Sequence, residues 1–172
     1  IQKNKLLLFR RKDIKMKRLP KYTPAEVRND PYGFTYKEMS EVIGENEAKA
    51  LYEELYKQLP RKKNLSMLVK NICKSSDTEK YVYELKDNKY IETVFIKRRD
   101  GGTVCVSTQV GCPVGCIFCE SGRNGFVRNL TSSEIVQQII LLRRKVNRIV
   151  FMGMGEPLFN YDNLIKAIHI LR

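Results

Sequence analysis

The sequence predicts an α/β protein: a small helical N-terminal domain, then the first strands and helices of a partial (β/α) barrel. Three observations lead there. Apolar residues recur at helical spacing through residues 25–75, and at every second position from residue 80. A helix-capping sequence and an almost wholly apolar strand set up a strand-helix alternation after residue 130. Between the two regimes lies a run of three cysteines at a strand end, where parallel barrels carry their functional loops.

Residues 1–24 form a basic arm, with nine Lys or Arg against one acid, Asp13. Such a head reads as a phosphate-contacting arm or a disordered tail. Its apolar run, Leu6-Leu7-Leu8-Phe9, is too short to span a bilayer, and no small-residue cleavage site follows. Residues 25–78 read as a helical accessory domain. A short helix over 36–43 is broken by Gly44. A second, over 45–59, places Ala48, Leu51, Tyr52, Leu55 and Leu59 on one stripe, and Pro60 ends it. Beyond the basic link Arg61-Lys62-Lys63, Leu65, Leu68, Val69 and Ile72 mark a third helix. Cys73 falls in its pattern as a structural thiol.

Residues 79–172 read as the first part of the barrel. Strands are expected over 81–85, 90–96 and 103–108, joined by Lys86-Asp87-Asn88-Lys89 and by a turn at Asp100-Gly101-Gly102. The third strand feeds directly into the cysteine loop. Thr131-Ser132-Ser133-Glu134 is a capping box, followed by the stripe Ile135, Ile139, Leu142 and Val146. Residues 148–152 form a strand apolar enough to be covered on both faces. The loop Gly153-Met154-Gly155-Glu156-Pro157 comes next, and a last helix runs from 160–162 through Leu164, Ile165, Ile168 and Leu171. No Gly, Asn or Pro stop signal closes it, and two parallel strands cannot close a barrel. The expectation is therefore the N-terminal part of a larger, truncated barrel.

The composition of the 172 residues is globular, with 42% hydrophobic residues. A net charge of +13 suggests a polyanionic partner, nucleic acid first, against the plainer reading of a solubility surface. The segments Lys97-Arg98-Arg99 and Arg143-Arg144-Lys145 suit phosphate contacts. Five cysteines, three of them clustered, argue against a secreted disulfide framework and for a reducing cytoplasm.

The cysteine run Cys112-Pro-Val-Gly-Cys116-Ile-Phe-Cys119 carries the most chemistry. Three thiolates on so short a loop suit three irons of a 4Fe-4S cube and leave the fourth iron open to a ligand. The rival is structural zinc, which wants a fourth ligand from Cys105, Cys73 or the single histidine, His169. His169 lies beside a helix stripe, where packing or surface exposure explains it. In the 153–157 loop the glycines permit close backbone approach to a ligand, and Glu156 offers an acceptor to a cationic amine. Cys105 shares a strand face with Thr103 and Ser107, opposite Val104 and Val106. Glu92 alternates with Tyr90, Val94 and Ile96. A carboxylate on an apolar face has its pKa raised by desolvation, which suits a base; the alternative is an exposed strand end.

These elements resemble the radical S-adenosylmethionine superfamily. Thr103-Val-Cys105-Val-Ser-Thr-Gln-Val-Gly-Cys112, Gly125-Phe-Val-Arg128-Asn-Leu130-Thr-Ser-Ser-Glu134-Ile and Phe151-Met-Gly-Met-Gly-Glu156-Pro157 look like the RlmN-Cfr family of RNA adenine methyltransferases, over roughly residues 90–172. The resemblance implies a (β/α)6 radical SAM barrel. It implies a 4Fe-4S cluster on Cys112, Cys116 and Cys119, with S-adenosyl-L-methionine met by Gly155 and Glu156. It also implies Glu92 as proton acceptor and Cys105 as the cysteine that resolves an enzyme-RNA adduct. The implied reaction methylates carbon 2 of an adenine in 23S rRNA, with tRNA as a further candidate. It passes through a methyl-cysteine and ends in a disulfide. The methyl-carrying cysteine is not in this sequence, since none follows Cys119. An electron donor such as flavodoxin or ferredoxin, a monomeric state, a cytoplasmic location and no membrane contact are also implied.

Three alternatives remain open at this level: a carbon-8, Cfr-like enzyme, another radical enzyme, or a non-catalytic RNA-binding metal module. Gly155-Glu156-Pro157 resembles the carbon-2 branch. Glu47-Ala48-Lys49-Ala50-Leu51-Tyr52 departs from the family's aromatic-Arg and Gln-Ile pattern.

Overall fold

The computed structural model describes residues 22–56 and 65–172. The basic arm up to residue 21, the expected last turn of the second helix and the Arg61-Lys62-Lys63 link lie outside the described residues. Three helices come first: α1 (Pro24–Asn29), α2 (Tyr36–Ile43) and α3 (Glu45–Tyr56). Apolar spacing does not announce α1, which buries only Val27. Its signal is local. Thr23 caps the Glu26 N–H, Glu26 accepts from the Thr23 N–H at 2.7 Å, and Pro24 takes the first helical position. Thr35 and Glu38 repeat the box for α2, and Gly44 ends it in the left-handed region at φ +82°.

Four strands then form an antiparallel meander: β1 (Met67–Lys74), β2 (Thr78–Leu85), β3 (Tyr90–Arg98) and β4 (Gly101–Cys105). A short antiparallel pair follows, β5 (Gln109–Gly111) with β6 (Phe126–Asn129). Then come α4 (Ser132–Ile140), β7 (Arg148–Val150) and α5 (Tyr161–Ile170). β7 lies parallel to β4, so the five-stranded sheet is ordered β1-β2-β3-β4-β7.

The expected third helix is strand β1. A bulge at Lys70 shifts the register between Val69 and Asn71. The extra residue breaks the period of two, so apolar side chains fall at steps of three and four and imitate a helix. Cys73 is accordingly an exposed strand residue opposite Lys80, and not a packed helix thiol. The other expected strands stand, with ends moved by a few residues. The helix after Thr131 stops at Ile140, short of the expected stripe, although Leu142 beyond it is still buried. β7 is only half-buried, because it is an edge strand with β4 as its one neighbour. The expected cover on both its faces is absent among the described residues.

The sheet has two unlike faces. Met67, Tyr81, Tyr83, Leu85, Ile91, Thr93, Phe95 and Val104 are buried against the helices. α4 crosses this face, and α5 and the 31–33 turn pack on α4. The Tyr83 hydroxyl donates to the Gln138 carbonyl at 3.0 Å, tying the layers together. The other face carries Lys80, Glu92, Val94, Thr103, Cys105 and Val150, all half-buried.

Candidate active site

The open face and the C-terminal ends of β4 and β7 bring the singled-out residues together. Cys105 ends β4, registered with Val94 on β3 and Val150 on β7. Glu92 lies two residues along β3 from Val94, on the same face and toward the loop end of the sheet. The chain continues past Cys105 through residues 106–108 into β5, so the cysteines do not follow the strand directly as expected. They occupy the connection of the β5–β6 hairpin. Gly111 and Gly125 pinch that hairpin shut: a Cβ on Gly111 would lie 1.9 Å from the Gly125 carbonyl oxygen. The Cys112 N–H donates to the same carbonyl at 3.1 Å. At the tip, Ile117 and Phe118 are 96% and 89% exposed.

All five cysteines are free thiols. Cys116 is exposed, and Cys112 and Cys119 are half-buried on the same loop. Among the described residues, no three His, Cys, Asp or Glu side chains are gathered around one point. By donor chemistry the loop nevertheless fits an iron-sulfur cluster: three soft sulfur donors lie within eight residues, and no histidine or carboxylate sits among them. His169 is far along α5 with a buried Nε2 that has no hydrogen-bond partner among the described residues, which favours packing over the surface role also expected for it.

The 153–157 loop is built differently. It lies along residues 106–109 and is fastened to them. The Gly153 N–H donates to the Val106 carbonyl at 3.1 Å, and the Met154 N–H to Ser107 Oγ at 2.9 Å. The Thr108 N–H donates to the Met154 carbonyl at 2.8 Å, and the Glu156 N–H to Gln109 Oε1 at 2.9 Å. The glycines serve this contact. A Cβ on Gly153 would come within 2.7 Å of Ser107 Oγ, and one on Gly155 within 2.5 Å of Gln109 Cβ. Close approach is thus to the chain's own 106–109 segment, where the sequence suggested a ligand. One Glu156 oxygen caps the Leu158 N–H at 3.1 Å, starting the 157–160 turn.

Glu92 differs from its sequence expectation. It forms an ion pair with Lys80 at 2.9 Å, and nearly half of each side chain is exposed. It is neither desolvated nor alone on an apolar face. The Cys105 thiol is more enclosed, and burial pushes its pKa up from the ordinary cysteine range. It therefore stays protonated at neutral pH.

Several organising residues escaped the sequence reading because they are polar and buried. Gln138 is fully buried on α4. Its Oε1 accepts from Thr93 Oγ1 at 2.7 Å and from the Ser107 N–H at 2.9 Å, and its Nε2 donates to the Ser107 carbonyl at 2.9 Å. Ser107 Oγ in turn donates to the Glu92 carbonyl at 2.5 Å, linking β3 to the 153–157 loop. Asn160 donates to the Thr108 and Leu130 carbonyls, both at 2.7 Å. Gln109 Nε2 reaches Asn129 Oδ1 at 2.8 Å. Arg128 is consumed internally, paired with both Glu134 oxygens at 2.8 Å and with Asp87 at 2.7 Å. The apolar-pattern signal is blind to such groups.

With this geometry in place, the comparisons are specific. The family model described as Radical SAM superfamily matches residues 106–172. A "Probable dual-specificity RNA methyltransferase RlmN" from Thermotoga sp. (strain RQ2) is 51% identical over 62% of this chain and 32% of its own length. The "Dual-specificity RNA methyltransferase RlmN" of Sulfurimonas denitrificans (strain ATCC 33889 / DSM 1251) is 39% identical over 99% of this chain and 52% of its own. The crystal structure of a radical SAM methyltransferase from Sphaerobacter thermophilus superposes with a TM-score of 0.74 at 31% identity. That match covers 83% of this chain and 51% of the other. Sheet, loops and matches define a partial radical SAM fold. The chain belongs to the radical SAM superfamily and, within it, to the RlmN-like family. It spans between about a third and a half of the length of these curated relatives.

Proposed function

We propose that this chain is the radical-generating part of an RNA methyltransferase that acts on carbon 2 of an adenine in 23S rRNA, with tRNA as a further substrate. The observation that carries the reading is that Cys105 and Glu92 share one sheet face, with the cysteine loop and the Gly155-Glu156 loop both continuing from the same end of that sheet. Superfamily membership supports the cofactors, and the names of the relatives support the RNA.

In this reading Cys112, Cys116 and Cys119 hold a 4Fe-4S cluster. Gly155 and Glu156 hold the amino group of S-adenosyl-L-methionine, from a loop fixed in advance by Ser107 and Gln109. Bound together, these groups supply the one-electron chemistry that activates an inert methyl group. Glu92, with Lys80 fixing its carboxylate at 2.9 Å, takes the proton from the substrate carbon. Cys105 meets the RNA adduct as a neutral thiol. Its sulfur bonds to the adduct's cysteine sulfur, on a residue outside this chain, as that sulfur's bond to the methylene carbon breaks, and the carbon takes up the proton that Cys105 gives up. The reading further places the protein in the cytoplasm as a monomer served by a flavodoxin- or ferredoxin-like donor. No helix among the described residues is long and apolar enough to cross a membrane.

The test uses the full-length protein, reconstituted anaerobically with iron and sulfide, as wild type and as Cys105→Ala. The variant is expected to keep its visible cluster absorption and cofactor cleavage while methylated product is lost and an RNA-protein adduct accumulates. Unchanged methylation would remove Cys105 from the chemistry. Stoichiometric zinc without visible absorption would reject the iron-sulfur reading altogether.

A further inference from the structure

At the opposite end of the sheet the fold assembles a second feature. The β1–β2 turn, the β3–β4 turn and the segment entering β7 all lie at that end. They enclose a cleft of about 440 Å³. Two basic segments more than forty residues apart meet there, Lys97-Arg98-Arg99 from β3 and its turn, and Arg144-Lys145 from the approach to β7. Five cationic side chains line the cleft against three carboxylates, Asp77, Glu79 and Asp100. The cations are unevenly committed. Arg144 is paired with Glu79 at 2.7 Å, which also accepts from the Tyr81 hydroxyl at 2.5 Å. Lys97, Arg98, Arg99 and Lys145 are exposed and form no ion pair among the described residues. Ser75, Ser76 and Thr78 add hydroxyls to the lining, beside Phe95 and Gly101.

Guanidinium and ammonium groups beside small hydroxyl donors match the oxygens of a phosphodiester. The cleft stands one strand length from the candidate active site, about 15 Å for the five residues of β4. We propose that this cleft is a phosphate-backbone site for RNA, which grips the substrate away from the reacting end. The proposal rests on the reading of the partner as RNA. Its contribution is to affinity and to salt dependence, with no part in choosing the base.

The test is binding of a fluorescein-labelled RNA stem-loop to the full-length protein over a series of KCl concentrations. The triple variant Lys97→Gln, Arg98→Gln, Lys145→Gln is expected to weaken binding on the order of tenfold or more at about 0.1 M salt, and to lower the log-log salt slope by about 2 to 3. Asp77→Asn, which removes a carboxylate from the same cleft, is expected to tighten binding, a result that misfolding cannot mimic. Iron content is followed in every variant. Triple-variant and Asp77→Asn affinities and slopes equal to wild type would overturn the proposal, including in favour of an acidic protein partner. If wild type itself fails to bind RNA, the underlying functional reading falls with it.

Discussion

The two loops that carry the site are built by opposite means. The 153–157 loop is fastened through Gly153, Met154 and Glu156 to the 106–109 segment, and a Cβ on Gly153 or Gly155 would come within 2.5 to 2.7 Å of that segment. The cysteine loop closes only on itself. Its base is the Gly111–Gly125 pinch, its turns run Cys119 N–H to Cys116 carbonyl and Gly125 N–H to Gly122 carbonyl, and its apolar tip faces outward. A loop that positions a small molecule gains from being preorganised. A loop that folds around an inorganic group takes its final shape from that group, so the protein supplies donors and freedom.

That contrast can be broken where its support is strongest. Gln138→Leu strands the Ser107 N–H, the Ser107 carbonyl and the Thr93 hydroxyl in a dry layer. At 1–3 kcal/mol per orphaned group, the expected loss is about 3–9 kcal/mol, with faster hydrogen exchange at the Met154 amide. A urea midpoint near wild type would show that Ser107, and with it the 153–157 loop, is held by something else.

A sharper comparison uses the same substitution in both loops. Gly155→Ala puts a methyl 2.5 Å from Gln109 Cβ at a φ of +97°, for an expected loss of about 2–3 kcal/mol. Gly115→Ala, at φ +63° with nothing within 4 Å, should lose only about 1 kcal/mol from the left-handed backbone. Equal losses in thermal or urea unfolding would erase the distinction between the loops. The smallest effect belongs to Phe118→Ser, a change of within about 0.5 kcal/mol, since that ring is 89% exposed. A larger loss would mean the tip packs against the protein.

Local chemistry was legible in the residues. The capping box at Thr131, the break at Gly44 and the period-two strands reappear in the fold, because each depends on neighbours within four positions. The box at Thr23 was equally readable, yet α1 has too few apolar residues for a periodicity search to notice it. The bulge at Lys70 turned β1 into an imitation helix, since a register shift is set by the partner strand. The β5–β6 hairpin was hidden for a related reason: β5 is three residues long and exists through its pairing.

The sequence by itself determined the cysteine spacing, the Gly-Glu-Pro loop, the alternation of Cys105 against Val104 and Val106, and the large positive charge. These are counts and short-range offsets, independent of packing. Tertiary structure alone decided that Glu92 faces Lys80 and that Ser107, Gln109, Gln138 and Asn160 tie the loops in place. It also decided that Gly153 and Gly155 answer to the chain's own 106–109 segment, and that two distant basic segments share a cleft. Such facts depend on strand register and on buried polar pairing, where the partner lies tens of residues away and no local pattern names it.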